Sequence, residues 1–207
     1  MIYPNKGALI KKWSHSEDVI LDIGFWGQGK NINESNAPHV LLKQENKIVY
    51  GIDPVSEIVD EVYSRQSAEN FIFDIKFDSI WSLDLIEHLS NQGLYLDNVR
   101  KYLKEDGKLI ITTPNCFNFF NFTEKITKYE PTTNKEHTCY YNHRTLKQLL
   151  ERHGFEIIEQ SYVYSLEYTH KESFKKKILN KINRFLSFFT DKYSETLAVI
   201  AQPKKML

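Results

Sequence analysis

The sequence predicts an α/β fold built on a mostly parallel sheet. Short apolar runs typical of strands alternate with segments of helical periodicity along most of the chain. A glycine-rich turn follows the first of these strands, at a position where many α/β proteins bind nucleotides. The chain has 207 residues, of which 41% are hydrophobic and 26% charged, which suffices for one domain with a sizeable core. We therefore expect residues 1–207 to form a single domain.

The individual elements follow from apolar runs bounded by turn signals and from amphipathic stretches with start and stop signals. The predicted strands are residues 19–23, 47–53, 77–83, 108–113, 155–164 and 195–202, with a short strand within 64–74. The predicted helices are residues 36–44, 54–63, 93–103, 144–153 and 172–189. Asp53 as N-cap and Pro54 at the first helical position support the second of these helices.

Two insertions are expected to interrupt this alternation. Residues 115–142 are rich in Asn, Phe, Thr and Tyr without clear periodicity. Excursions of this length are usually functional, so we interpret the segment as part of a substrate lid. Its aromatic residues fit either an acceptor pocket that is apolar or stacks on a sugar, or a small core of the lid itself. The second insertion spans residues 167–194.

Charge and composition limit the partners and the cellular location. Lys plus Arg and Asp plus Glu both total 27, so no overall field favours nucleic acid or an anionic membrane, and DNA is not expected. The two cysteines, Cys116 and Cys139, form no C-x-x-C pair, which argues against a disulfide scaffold. The N-terminus lacks a secretory pattern, and no run of about 18 apolar residues occurs. We expect a cytoplasmic location.

The glycine-rich turn carries an acidic residue that indicates the ligand. Asp22 lies two residues before Gly24, and Gly27 and Gly29 follow. The glycines allow a ligand to approach the backbone, but a carboxylate at this position would repel phosphates and attract ammonium and sulfonium groups. S-adenosylmethionine (SAM) carries both of these charges. The alternative is a tight turn in which Asp22 only caps local amides.

Six segments together carry a family resemblance: LDIGFWGQG, YGIDP, SAENF, FDSIWSLDLIEHL, YLKEDGKLIITTPN and EHTCYYNHRTLKQLLERHGFEIIE. In this order they resemble the class I SAM-dependent methyltransferases over roughly residues 15–165, especially a branch related to the ubiquinone-biosynthesis O-methyltransferases. The resemblance implies a three-layer, Rossmann-like, seven-stranded sheet whose last strand is antiparallel. It also implies SAM at the carboxyl ends of the first, second and fourth strands. The turn departs from the family pattern by one extra residue between Gly24 and Gly27.

The resemblance also implies which residues contact SAM. Asp22 and the glycines would hold the methionine end, Asp53 would accept the ribose hydroxyls, and the backbone of Ala68 and Glu69 would lie along adenine. Asp84 would face the same site from the end of the fourth strand. The cofactor-binding residues expected on this basis are Asp22, Gly24, Gly27, Gly29, Asp53, Ala68, Glu69 and Asp84.

The segment Asp84-Leu-Ile-Glu87-His88 is a candidate metal site. In a helical turn, residues three and four apart share a face, and carboxylates with imidazole can bind Mg²⁺, Mn²⁺ or Zn²⁺. The resemblance to the ubiquinone O-methyltransferases and the small-RNA 3′-end methyltransferases implies His137 as the fourth ligand. The alternatives are that His88 lies near SAM without a metal, or that Glu87 and His88 merely bond the neighbouring helix.

The expected reaction is in-line methyl transfer from SAM to a nucleophile, most simply a hydroxyl. His137, with His143 or His88 as substitutes, is the candidate base, because imidazole titrates near neutral pH. The acceptor stays open among a sugar, a lipid-linked glycan, a quinone precursor and an RNA terminus. The rival functions are an NAD-dependent oxidoreductase, which would require G-x-G-x-x-G where this chain has Ile32, and a non-catalytic binding subunit.

The predicted helix 172–189 has an apolar stripe and several lysines. Such a basic amphipathic pattern is compatible with contact to an anionic membrane or with a lipid-linked or phosphorylated substrate. The alternative is a helix that packs its stripe on the sheet edge and leaves its lysines in solvent.

Overall fold

Eight strands form one mixed sheet in the computed structural model, in the order β1-β7-β8-β6-β5-β2-β3-β4. The structure describes residues 1–27, 34–128, 130–131, 134–164, 181–182 and 190–205. The strands are β1 Ile2–Tyr3, β2 Val19–Ile23, β3 Ile48–Ile52, β4 Tyr63–Ser64, β5 Phe77–Leu83, β6 Leu103–Pro114, β7 Phe155–Val163 and β8 Thr196–Pro203. The helices are α1 Lys6–Trp13, α2 Pro38–Glu45, α3 Gln92–Tyr102, α4 Phe119–Thr127 and α5 His143–Arg152.

The strand directions confirm the predicted fold class. All neighbouring strands are parallel except β8, which runs antiparallel to both β6 and β7. The predicted count of seven strands is wrong by one, because Ile2–Tyr3 adds an edge strand beside Tyr162 and Val163. Two residues are too few to produce a recognisable alternation, which is why the sequence did not predict this strand.

Helices cover both faces of the sheet, so the three-layer arrangement is also confirmed. Successive residues of a strand point to opposite faces, and β2 shows this, with Leu21 packed against one core and Ile20 against the other. The first core contains residues of α3 and α5, and the second contains residues of α1 and α2. The carboxyl ends of β2, β3, β5 and β6 therefore open onto one edge of the sheet between the two layers.

The helix predicted at residues 54–63 is wrong. Short polar side chains bind the local backbone there and stabilise turns in place of a helix. The Asp53 carboxylate accepts from the Val55 N–H at 3.0 Å, and the Ser56 hydroxyl both accepts from and donates to the backbone of Ile58. The Asp60 carboxylate accepts from the backbone N–H groups at 62 and 63. The short strand predicted within residues 64–74 corresponds to β4, which begins one residue earlier, at Tyr63, and follows these turns directly.

Two helices were not predicted. α1 lies in the N-terminal segment, and α4 lies inside residues 115–142, where the sequence showed no periodicity. The Asn118 side chain caps α4 by accepting from the Asn121 N–H at 2.9 Å. The predicted helix 172–189 falls outside the described residues except for 181–182, which are helical. In the part of the chain that the structure describes, every helix is too short or too polar to span a bilayer.

Candidate active site

The turn after β2 accommodates its extra residue through an inward-pointing phenylalanine. The Gly27 N–H donates to the Gly24 carbonyl at 3.1 Å, and both glycines have positive φ, 63° and 84°. Phe25 between them is buried and stacks on Tyr63 with 4.8 Å between ring centroids. A Cβ on Gly51 of β3 would lie 2.7 Å from the Phe25 ring, so only glycine there admits this packing. Gly29 lies outside the described residues.

Asp22 is buried at the end of β2 and is held by a histidine. Its Oδ2 lies 2.9 Å from Nδ1 of His39, and the two residues are only 4% and 2% exposed. His39 is the second residue of α2, and its Nε2 lies 3.0 Å from the Tyr63 hydroxyl. Sequence reasoning missed His39. The available signal was a histidine directly after Pro38, in the first turn of a predicted helix that follows the glycine turn.

Asp53 follows β3 and connects the turn at residues 54–56 with the glycine turn after β2. Its carboxylate accepts from the backbone N–H of Val55 at 3.0 Å, and the backbone N–H groups of Trp26 and Gly27 in the glycine turn favour its ionised form. Burial raises the pKa of Asp53, and these backbone donors oppose that increase. A ligand with two adjacent hydroxyls would meet a carboxylate that already faces the glycine turn.

Ala68 and Glu69 lie in a turn between β4 and β5. Ala68 is buried in the first core, and the Glu69 carboxylate accepts from the Asn91 N–H at 2.7 Å. Because Asn91 is the N-cap of α3, this bond fixes the turn relative to that helix.

Asp84 follows β5 with a φ of 54°, the one positive value at a non-glycine among the described residues. Its carboxylate forms an ion pair with Lys6 of α1 and accepts from the Thr112 hydroxyl at 2.8 Å. Burial opposes ionisation, but the Lys6 ammonium and the Thr112 hydroxyl keep the pKa of Asp84 below its usual value. Lys6 was not predicted, because nothing in the sequence places the N-terminal helix beside this strand end.

Glu87 and His88 belong to a 3-10 turn, Ile86–His88, that follows Asp84. Glu87 is 2% exposed; its Oε2 accepts from the Thr113 hydroxyl at 2.8 Å, and its Oε1 has no partner within the described structure. Burial, reinforced by the charge of Asp84, raises the pKa of Glu87 to about 7. The structure therefore places a buried carboxyl group with one open oxygen at the end of β5.

His137 packs on His88 with 4.7 Å between the ring centroids and an interplanar angle of 84°. Burial and the neighbouring His88 lower the pKa of His137. One ligand atom from each of Glu87, His88 and His137 lies within 4.8 Å of the others. The donor set suits a divalent ion, and Oε1 of Glu87, which accepts no hydrogen bond within the described structure, is consistent with one. Nδ1 of His88 lies 3.9 Å from Oε2 of Glu136. His137, the predicted fourth ligand, therefore joins Glu87 and His88, whereas Asp84, which was also predicted as a ligand, is not in this group and is paired with Lys6.

A cavity of about 190 Å³ adjoins these residues. Its wall combines the 3-10 turn after β5 and the end of β6 with the segment that was predicted as a lid. The lining residues are Glu87, Thr113, Pro114, Cys116, Asn118, Asn121, Asn134, His137, Cys139 and Tyr140. His143, a predicted base, is not among them: its ring meets the Tyr162 ring edge to face, with 4.7 Å between the centroids, and burial lowers the pKa of His143.

The cavity and the glycine turn are neighbours along the sheet edge. Leu85 lies against Gly24, since a Cβ on that glycine would be 3.3 Å from the leucine side chain. Glu87 follows two residues later and faces the cavity. The structure thus brings Asp22, Asp53, Asp84, Glu87 and His137 to the same edge, in two adjoining sites.

Comparison with known proteins identifies the class. A model of the methyltransferase domain family matches residues 11–160, most of the chain, so the protein belongs to this family. No curated protein sequence matches the chain at a significant level. Together with the fold, the family match identifies a class I SAM-dependent methyltransferase, which confirms the resemblance and argues against the oxidoreductase alternative.

Solved structures show the same fold at low sequence identity. The chain is similar to a chain of the complex between the Trm112 methyltransferase activator and a methyltransferase of Haloferax volcanii, with a TM-score of 0.62, 12% identity and coverage of 94% and 86%. It is also similar to a SAM-dependent methyltransferase of Archaeoglobus fulgidus, with a TM-score of 0.60, 17% identity and coverage of 95% and 92%. For the N-methyltransferase NodS of Bradyrhizobium japonicum with S-adenosyl-L-homocysteine the corresponding values are 0.58, 12%, 97% and 85%. In each case the first coverage is of this chain.

Proposed function

We propose that this methyltransferase transfers the SAM methyl group to a hydroxyl of a small-molecule, sugar or lipid-linked acceptor held in the cavity beside Glu87. The observation that supports this proposal is the buried, unpartnered Oε1 of Glu87 in the cavity wall. A buried acceptor oxygen without a partner is costly unless a ligand donates to it, and a hydroxyl is such a ligand.

The donor would bind at the glycine turn, with its methionine end at Asp22, Gly24, Gly27 and Gly29. Asp53 would accept the ribose hydroxyls, and the turn at Ala68 and Glu69 would lie along adenine. Asp84, oriented by Lys6, would border the reacting methyl group. This arrangement would direct the methyl group toward the adjoining cavity, where proximity and alignment supply most of the rate enhancement.

In the reaction, the carbon–sulfur bond breaks as the carbon–oxygen bond forms, and the sulfur keeps the electron pair. The hydroxyl proton would pass to Glu87 or to His137, both of which line the cavity. A carboxyl group with a pKa of about 7 is near the optimum for a base at neutral pH. His88 would support His137 through their ring contact. We assign no step to His143, which lies against Tyr162.

A metal-assisted form of the same reaction is the second candidate, and the three clustered ligand atoms favour it. Glu87, His88 and His137 would hold a divalent ion, which supplies a Lewis acid that lowers the pKa of an acceptor hydroxyl. The remaining coordination positions would then be open to the acceptor.

The test is transfer of a radiolabelled methyl group from SAM to panels of sugars, phenols, lipid-linked saccharides and RNA 3′ ends. Glu87→Gln, which keeps the shape but loses the base, should lower turnover by about 10²- to 10⁴-fold. Glu105→Gln, an exposed site far from the cavity, should have wild-type turnover. Full activity of Glu87→Gln would overturn the role of Glu87.

The metal question has its own measurement. If the reaction is metal-assisted, removal of divalent ions with a chelator should abolish turnover. Addition of Mg²⁺, Mn²⁺ or Zn²⁺ should then restore it. Unchanged turnover in the presence of the chelator, with metal content below stoichiometric by elemental analysis, would exclude that form.

A further inference from the structure

A buried chain of hydrogen bonds beneath the glycine turn connects Asp22 to the protein surface. Asp22 Oδ2 lies 2.9 Å from His39 Nδ1, and His39 Nε2 lies 3.0 Å from the Tyr63 hydroxyl. The Tyr63 oxygen accepts from the Lys43 ammonium, also at 3.0 Å. This hydrogen-bond network joins three elements, β2, α2 and β4, and only Lys43 at its end is exposed.

The chemistry of its two ends fixes the direction of the protons. A lysine ammonium only donates, and an ionised carboxylate only accepts. With a neutral imidazole, the Tyr63 hydroxyl therefore donates to His39 Nε2, and the His39 Nδ1–H donates to Asp22. Every buried polar atom of His39 and the Tyr63 hydroxyl then has a partner, which satisfies a network that would otherwise be costly to bury.

This order determines which oxygen of Asp22 a ligand can use. Oδ2 is occupied by His39, whereas no hydrogen bond to Oδ1 occurs among the described residues. The imidazole thereby holds the carboxylate in one rotamer beside the turn. A positioned carboxylate binds a cation with less loss of side-chain freedom than a mobile one.

The same rings also seat the glycine turn. Phe25, between Gly24 and Gly27, lies 4.8 Å from the Tyr63 ring and 5.1 Å from the His39 ring. The hydrogen-bond network and its rings therefore fix both the Asp22 carboxylate and the glycine turn against α2 and β4. The position of the carboxylate relative to the turn is thus set before any ligand binds.

We propose that His39, supported by Tyr63 and Lys43, is a positioning residue that presents Asp22 Oδ1 to the ammonium group of the donor's amino-acid end. This inference rests on the proposed donor site. It also predicts a specificity. The hydrogen-bond network should strengthen the binding of donors that carry the ammonium group and should not affect the binding of the adenosine part of the molecule.

The test compares two probes by titration calorimetry. S-adenosylhomocysteine carries the ammonium group, whereas 5′-methylthioadenosine has the adenosine and sulfur but lacks the amino-acid end. His39→Leu should weaken binding of the first by about 10- to 100-fold, the range expected for a hydrogen bond to a charged group. Its affinity for the second probe should stay within about 2-fold.

Two further variants serve as controls. His39→Asn retains an N–H group at the position of Nδ1, so it should restore most of the affinity for S-adenosylhomocysteine. Tyr63→Phe keeps the ring under Phe25 but removes the hydroxyl, and it should cause a smaller loss with the same probe selectivity. Because it preserves the packing, it tests the proposal even if His39→Leu does not fold.

The outcomes separate this inference from the donor site itself. Wild-type affinity for S-adenosylhomocysteine in His39→Leu and Tyr63→Phe would overturn the positioning role alone. An equal loss of affinity for both probes in a folded variant would show that the hydrogen-bond network has only a structural role. If the wild-type protein binds neither probe, the proposed donor site fails, and this inference fails with it.

Discussion

At the scale of single residues, Glu87 couples the candidate site to the stability of the fold. Its pKa is raised from 4.5 to about 7, so the folded state binds this proton more tightly than the unfolded chain does. The contribution to stability is therefore complete below pH 4.5 and is lost as the pH rises through 7. A shift of this size corresponds to about 3 kcal/mol.

Glu87→Gln should remove this pH dependence, because the amide stays neutral. We expect the variant to exceed the wild type in free energy of unfolding by up to about 3 kcal/mol at pH 8 and to match it near pH 4.5. Urea unfolding at both pH values measures the difference. Glu105→Gln should follow the wild type at each pH, and equal stability of the wild type and Glu87→Gln at pH 8 would contradict the assignment.

The sequence predicted those candidate residues that lie at or just beyond the ends of strands, and it missed those that come from other elements. Asp22 lies near the end of β2, and Asp53, Asp84 and Glu87 follow their strands, so their place at the sheet edge followed from the fold. Lys6 and His39 reach the same edge from helices. Their partners are 78 and 17 residues away in the chain, and such pairings depend on packing that no local pattern encodes.

At the scale of elements, Gly51 in β3 is the most constrained position beside the donor site. An alanine Cβ there would lie 2.7 Å from Phe25 and 2.9 Å from Tyr63. Gly51→Ala should therefore destabilise the protein by about 1–3 kcal/mol, as overpacking of a core does. It should also weaken S-adenosylhomocysteine binding, because Phe25 would have to move.

Gly93→Ala is the matched control for this variant. At that position the added Cβ meets the end of the His153 side chain at 3.1 Å, which can shift, and alanine favours a helix over glycine by about 1 kcal/mol. Thermal unfolding and the affinity for S-adenosylhomocysteine measure the two effects. A Gly51→Ala protein as stable as Gly93→Ala would disprove the steric constraint at Gly51.

The wrong and missing elements have physical causes. At residues 54–63 the cap residue and the proline favoured a helix, but serine and aspartate side chains bind the backbone of the turns there. α4 was hidden because its first residues, Phe119 to Asn121, combine aromatic side chains with an asparagine, which are modest helix formers. Its N-cap Asn118 and its buried Phe119 stabilise it through contacts that are not periodic.

At the scale of the whole molecule, the N-terminal segment is an integral part of the domain, although the family match begins only at residue 11. Leu9 and Ile10 of α1 are completely buried in the second core. Leu9→Ala should cost about 2–5 kcal/mol of unfolding free energy. The control Leu94→Ala changes a side chain that is 53% exposed and should cost less than about 1 kcal/mol. Similar urea midpoints for the two variants would contradict this prediction.

The overall topology was predictable because its central strands are short apolar runs separated by helical segments. The antiparallel last strand came from the family resemblance, since no local feature of residues 195–202 encodes a direction. The two-residue strand β1 lay beyond both sources, because it is defined only by its pairing with β7.

Both cysteines of the chain, Cys116 and Cys139, are free thiols in the wall of the cavity. The unmodified protein therefore contains its own reporter of acceptor binding, without any engineered label. Burial raises the pKa of Cys116, so its alkylation by a small reagent should be slow and should accelerate at alkaline pH. A compound that occupies the cavity would shield both sulfurs, which turns a mass-spectrometric count of alkylated thiols into a screen for the missing acceptor.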